Sequence, residues 1–310
     1  MDLVPYLFID AVLSTLHSSK LSDFAQIYSK YCKQIEFHAD NRLELSLTFT
    51  PGPSPDQRIF YFGQFPHSQT IPQLDQRFVR IANLNFHADG VRGVRKRAAT
   101  REEMNRMISF ALRCLSPHKS SISMQSAEFL PFFERIVASK RPFNEVALAH
   151  YGPVCEQFLR QNIENTLTWV CSKITLFGKW PKSIQSSLER YLLQGRAPNL
   201  KTDICSTETQ LEFPVFQQIV RRFLNEKTAS FSLNCSASFS VEQMKRCERE
   251  TQIIPGILVT SRCGKTRGNG DSFLAAILRD GALSVNVYDL ELAQFYFTEN
   301  MTQSVFWSFE

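Results

Sequence analysis

Residues 144–193 read NEVALAHYGPVCEQFLRQNIENTLTWVCSKITLFGKWPKSIQSSLERYLL. The same order of features occurs twice in that stretch. Two apolar residues flank a single spacer, a turn with Gly and Pro follows, and then comes a stripe of apolar residues at helical spacing. Val146 and Leu148 open the first copy, Ile174 and Leu176 the second. Period-two alternation bounded by turn residues marks a short strand. Pro153 and Pro181 stand at the mouths of the helical stripes, where a missing N–H leaves no intrahelical bond unmade.

Outward from this pair, further strand-like pairs occur at Thr202/Ile204 and Phe231/Leu233, so that successive pairs begin 28, 28 and 29 residues apart. Ile122/Met124 lies 24 residues before Val146, Leu84/Phe86 another 38 before that, and Ile257/Val259 stands 26 beyond Phe231. Pro131 and Pro214 mark two more helix mouths. Apolar faces follow at Phe132, Phe133 and Ile136; at Val154, Phe158 and Leu159; at Ile184, Leu188 and Leu192; and at Phe216, Ile219, Val220 and Phe223. One strand and one helix of this size cannot bury both faces alone, so neighbouring units must share a core. The pattern predicts an α/β fold with a β/α repeat domain over residues 81–260. Its parallel strands form a solenoid or curved sheet, with an ordinary α/β sheet as the other arrangement. The layout resembles leucine-rich repeats of the longer, helix-containing type, although Tyr151, Lys179, Thr207 and Ser236 stand where that family carries Asn or Cys.

The flanks read differently. Leu43, Leu45, Leu47 and Phe49 alternate, as do Phe60 and Phe62, with Pro51, Gly52, Pro53 and Pro55 between them. Residues 39–80 are therefore expected to hold linking strands, in the form of a small hairpin. Asp280-Gly281, set between Ala275–Leu278 and Leu283–Val287, is a hairpin signal. Phe295–Phe297 and Val305–Trp307 offer further strands, and residues 261–310 read as a β-rich C-terminal cap.

Residues 1–38 carry two apolar stripes on short helices. Pro5 suits a helix start; Phe8, Ile9, Val12, Leu13 and Leu16 build one stripe, and Leu21, Phe24, Ile27, Tyr28, Tyr31 and Ile35 build another after the polar break 17–20. The stretch from Val4 to Tyr31 resembles an F-box, the docking module of SCF ubiquitin ligases, and aligns with it without a gap. The family's opening Leu-Pro falls on Val4-Pro5, and its stripes fall on the residues just named. Leu7 and Lys20 stand at two usually acidic positions, and Tyr31 at the closing Trp. The resemblance implies that Pro5, Phe8, Ile9, Val12, Leu13, Leu16, Leu21, Phe24, Ile27 and Tyr31 bind a Skp1-like adaptor through helix-in-groove recognition. Without that role, the helices would cap the following domain.

Composition bounds the rest. Of 310 residues, 43% are hydrophobic and 26 are Phe, which supports a packed core rather than disorder. The net charge of +5 is small for this length. The one basic cluster, Arg92, Arg95, Lys96, Arg97 and Arg101, has no interleaved aromatics, which argues against a nucleic-acid partner. The eight cysteines never stand at C-x-x-C spacing, so they read as buried thiols of a reducing compartment rather than a zinc site. No basic leader opens the chain and no run of 18 apolar residues interrupts it, so a cytoplasmic or nuclear protein without a membrane span is expected.

Catalytic signatures are absent. Gly264-Lys265-Thr266 lacks the Gly a phosphate loop needs, since Val259 holds that position, and the six histidines never stand at i, i+4. No Gly-x-Ser-x-Gly elbow occurs. The expectation is a non-catalytic adaptor without cofactor or metal, presenting an unknown target protein to the ligase through exposed strand and loop residues such as Lys173, Thr175, Lys201, Asp203, Ser230 and Ser232. The alternatives are a protein-binding scaffold with no ligase role, and an enzyme whose polar pocket only the fold would assemble.

Overall fold

Alternation at Leu43, Leu45, Leu47 and Phe49 becomes β1 (Leu43–Pro51) of the computed structural model. The structure describes residues 12–13, 16, 21, 31–52, 57–63, 75–88, 98–116, 119–165, 171–194, 199–202, 208–225, 232–244, 252–254, 257–262, 272–279 and 282–289. The chain is mixed α/β and divides into two compact units, Met1–Asn165 and Thr166–Glu310.

In the first unit, α1 (Cys32–Asn41) leads into β1, and β2 (Arg58–Phe62) returns antiparallel to it. The expected hairpin is there, and β1 also pairs in parallel with β3 (Val79–Phe86), which pairs in parallel with β4 (Ser121–Met124) and that with β5 (Glu145–Ala149). Strand order is β2-β1-β3-β4-β5. Three helices connect or follow these strands: α2 (Arg101–Arg113), α3 (Leu130–Ser139) and α4 (Pro153–Asn165).

Register explains the core. Leu47, Leu84, Ile122 and Val146 form one cross-strand row, and Phe49, Phe86, Met124 and Leu148 the next; all are buried. Because side chains alternate, both rows lie on one face. Phe49 stacks on Phe86 at 4.9 Å, Phe86 meets Phe129 ahead of α3, and Phe62 of β2 meets Phe110 of α2 edge-on. The strand pairs expected at residues 84, 122 and 146 are thus in register with one another.

Two local devices fix the connections. Helix α2, which the strand-and-proline pattern did not anticipate, opens on a reciprocal capping box: the Glu103 N–H donates to Thr100 Oγ1 at 3.1 Å, and the Thr100 N–H to Glu103 Oε2 at 2.8 Å. After β5 the chain turns through Gly152 at φ +109°, a backbone that L side chains rarely adopt.

In the second unit, β6 (Lys173–Phe177), β7 (Asn199–Thr202) and β8 (Ser232–Ser236) are parallel, linked through α5 (Gln185–Gln194) and α6 (Phe213–Asn225). A short α7 (Val241–Met244) follows, and then four strands: β9 (Gln252–Ile254), β10 (Ile257–Arg262), β11 (Ser272–Arg279) and β12 (Ala282–Asp289). Strand order is β6-β7-β8-β12-β11-β10-β9, and every pairing from β8 onward is antiparallel. The hairpin signal at 280–281 joins β11 to β12, whose register closes at Arg279 opposite Ala282. Phe295–Phe297 and Val305–Trp307 lie outside the described residues.

Two expectations need correction. The spacing is not uniform. Ile174 faces Leu200 rather than Thr202, and Leu200 faces Leu233, so that in-register steps are 26 and 33 residues. Thr202, the last residue of β7, lies on the same buried side as Leu200 but faces Leu176, Ile204 and Phe231 lie outside the described residues, and steps of 26 and 33 replace the expected 28 and 29 on either side of β7. In addition, Ile257/Val259 is not a further parallel repeat strand: β10 runs antiparallel to both of its neighbours, so the antiparallel β-rich part begins at Gln252. Parallel strands need a crossover connection, whereas β9 to β12 follow one another through short links.

Among the described residues no helix is long and apolar enough to cross a membrane. Within the first unit, the buried Asn162 of α4 holds the loop before β5: its Oδ1 accepts from the Phe143 N–H at 2.8 Å and its Nδ2 donates to the Phe143 carbonyl at 3.1 Å. Asn162→Ala orphans both peptide groups, and a loss of about 2–3 kcal/mol in urea unfolding is expected; an unchanged midpoint would show that the brace carries no stability.

Candidate interaction surfaces

Two surfaces have the chemistry to bind other molecules. The first is the N-terminal segment. Leu13 and Leu21 are fully buried in a small cluster with Ile35 of α1, and Leu16 and Tyr31 pack against it. The structure thus brings together four of the ten residues expected to bind the adaptor, and turns at least Leu13 and Leu21 inward. Val12 is half-buried, and Pro5, Phe8, Ile9, Phe24 and Ile27 lie outside the described residues.

Arg42, at the junction of α1 and β1, anchors that cluster. Its guanidinium donates to the main-chain carbonyls of Leu13, at 2.7 Å, and Leu16. A guanidinium can hold two main-chain carbonyls at once through charge-assisted hydrogen bonds. Arg42 stands beside Arg80, with Glu44 near; burial first, and then the Arg80 charge, lower its pKa. Nothing in the sequence pattern pointed to Arg42, because its partners are main-chain atoms more than twenty residues away.

The second surface is the sheet face opposite the buried rows. In the first unit it carries the row Ser46, Asn83, Ser121, Glu145 and the row Thr48, Asn85, Ser123, Ala147. Asn83 Nδ2 donates to Ser46 Oγ at 2.7 Å and accepts at Oδ1 from Ser121 Oγ at 2.7 Å, a hydroxyl–amide ladder across three strands. Thr48 and Thr50 of β1 are buried, so the accessible part of this face runs over β3, β4 and β5.

The second unit repeats the chemistry. Lys173, Asn199, Ser232 and Asn286 form one row, and Thr175, Lys201, Asn234 and Ser284 the next. Ser232 Oγ donates to Asn286 Oδ1 at 3.0 Å, and Asn286 Nδ2 to Ser284 Oγ at 3.2 Å. Four residues expected to contact a target, Lys173, Thr175, Lys201 and Ser232, share this face; Lys173 and Lys201 are exposed, Ser232 is half-buried and Thr175 buried. Asp203 and Ser230 lie outside the described residues, as do Arg92, Arg95, Lys96 and Arg97 of the basic cluster; Arg101 is the exposed first residue of α2.

Among the described residues, titratable groups form no further cluster with reactive character. His150 Nε2 lies 3.3 Å from Glu156 Oε1, and Arg160 pairs with the other oxygen at 3.0 Å. The neighbouring Cys155 is sealed, and burial pushes its thiol up. Burial does the same to Cys114 and takes Cys235 up to about 12, so these thiols stay protonated at neutral pH. Four of the five described cysteines are buried, and Cys32 is half-buried. Among the described residues no group of three His, Cys, Asp or Glu could hold a metal ion.

Comparison with known protein families, with curated proteins and with solved structures finds no match for this chain.

If Arg42 anchors the N-terminal cluster, Arg42→Ala removes two charge-assisted hydrogen bonds, each worth about 1.5–3 kcal/mol. Amides of residues 12–21 are then expected to exchange with solvent at least about tenfold faster while those of β4 and β5 keep their protection. Equal protection in both proteins would remove the anchor.

Proposed function

We propose that this chain is a non-catalytic interaction adaptor of the F-box type, whose N-terminal segment docks a Skp1-like adaptor while the open sheet face presents a target protein. The observation that carries the reading is the two-faced sheet. In each unit one face is packed with Leu, Ile, Val, Phe or Met, and the other carries hydroxyls and amides, with two exposed lysines in the second unit. Strands that alternate with helices in this way support a leucine-rich-repeat-like solenoid with irregular repeats. In that role the protein supplies positioning and leaves the chemistry to other subunits, and its place of work is the cytoplasm or nucleus.

Leu13, Leu21 and Ile35 act on this reading as the inner core of the docking module, so the contacts fall to its other stripe residues, with Pro5, Phe8 and Ile9 foremost. The burial of Leu13 and Leu21 also favours a second reading: a protein-binding scaffold without ligase connection, in which the N-terminal helices only cap the sheet.

Co-purification of the full chain with a Skp1-type adaptor separates the two. Pro5→Ala with Phe8→Ala leaves Leu13, Leu21 and Ile35 intact and is expected to weaken capture at least about tenfold, since a few large apolar anchors carry most of such an interface. Undiminished capture by the double variant, or no capture by the wild type, rejects the docking role and leaves the scaffold.

A further inference from the structure

Resting on the reading of the polar sheet faces as binding surfaces, we propose that the one in the second unit takes an extended, acidic segment of a partner protein. Lys173 and Lys201 are both exposed and sit diagonally on adjacent parallel strands: Lys173 faces Asn199, and Lys201 faces Thr175. Neither makes an ion pair among the described residues. Positions diagonal in this way are about 7–8 Å apart, close to the separation of alternate side chains in an extended chain, about 6.6 Å. The two ammonium groups therefore match carboxylates at i and i+2 of a strand-like ligand.

The neighbours favour the same sign of charge. In register with the two lysines the face carries Asn199, Ser232, Asn234, Ser284 and Asn286, and none of the described residues of this face on β6, β7, β8 and β12 is Asp or Glu. Amide N–H groups not engaged in the ladder can add hydrogen bonds to a carboxylate held by the lysines, and no acid of these rows opposes it. The one charged residue in the corresponding rows of the first unit is Glu145, an acid. Among the rows named, the two lysines belong to the second unit. Two described aromatics stand near these residues, Phe177 at the end of β6 and Tyr288 two places beyond Asn286 in β12, so an oligonucleotide belongs in the test as the probe of base stacking.

The test is fluorescence anisotropy of the full chain with labelled octaglutamate at low salt, and with octalysine and oligothymidylate in parallel. Octaglutamate alone is expected to bind, more weakly as salt rises. Lys173→Glu with Lys201→Glu should cost at least about tenfold, and Lys173→Arg with Lys201→Arg should retain binding. Should the charge reversal lower the melting temperature, Lys173→Gln with Lys201→Gln reads out the same loss. Binding that survives both the reversal and the neutral pair overturns the assignment, as does equal binding of octalysine; tighter binding of oligothymidylate makes the partner a nucleic acid. Because the probe does not involve residues 1–31, failure of adaptor docking leaves this result untouched.

Discussion

The structure depends on the period-two segregation of its strands. Along β3, β4 and β5, and again along β6, β7 and β8, alternate residues are apolar and buried, and those between them are mostly hydroxyls, amides or charges. Strands covered by helices on both faces read as continuous apolar runs. These do not, so the helices of each unit have one apolar sheet face to bury against, and the other face stays polar. Burying the rows of Leu, Ile, Val, Phe and Met offsets the chain entropy of ordering, at about 25 cal/mol for each Å² of apolar surface removed from water. The same constraint creates the polar face, because a strand cannot present one face to the helices without presenting the other.

Main-chain groups outside the strands are satisfied by few, specific side chains. Asn162 closes both peptide groups of Phe143, and Tyr191 donates to the Asn199 carbonyl and accepts from its N–H, in each case just before or at the start of a strand. Burial moves the Tyr191 hydroxyl strongly upward, which keeps it a donor at any ordinary pH. Arg42 does the corresponding work for the N-terminal cluster. A buried polar side chain committed to main-chain partners fixes the path of the chain on either side of it, and so the entries to β5 and β7 owe their geometry to interactions that are not apolar at all.

These facts decide what could be read from sequence. Strands at residues 43–49, 84–86, 122–124, 146–148 and 174–176 were legible because two apolar residues around one spacer, followed by Gly or Pro, leave few other conformations. The prolines at 131, 153, 181 and 214 marked helix starts for the same local reason. Register in β7 and β8 was not legible: Leu200 and Thr202 both sit on the buried side, and only the pairing with Ile174 and Leu233 tells which of them faces which. Helix α2 has no proline at its mouth and follows no turn of the repeat, so only the capping box of Thr100 and Glu103 marks its start. Of the candidate site, the polar residues between the apolar pairs were visible, but their assembly into ladders depends on hydrogen bonds between residues 37 and 38 positions apart. The inward turn of Leu13 and Leu21 follows from Ile35, at the end of the second stripe, and from Arg42, which lies beyond both stripes.

The two-faced sheet is tested most directly by placing one charge on each side of a single strand. Ile122 and Ser123 are neighbours in β4, the first buried and the second half-exposed. Ile122→Lys should lower the unfolding free energy by more than about 4 kcal/mol or prevent folding, because the cation is driven into the packed rows, whereas Ser123→Lys should stay within about 1 kcal/mol of the parent. Comparable losses from the two substitutions in equilibrium denaturation would mean that both faces of the strand are covered, and that the surface assigned to partners does not exist.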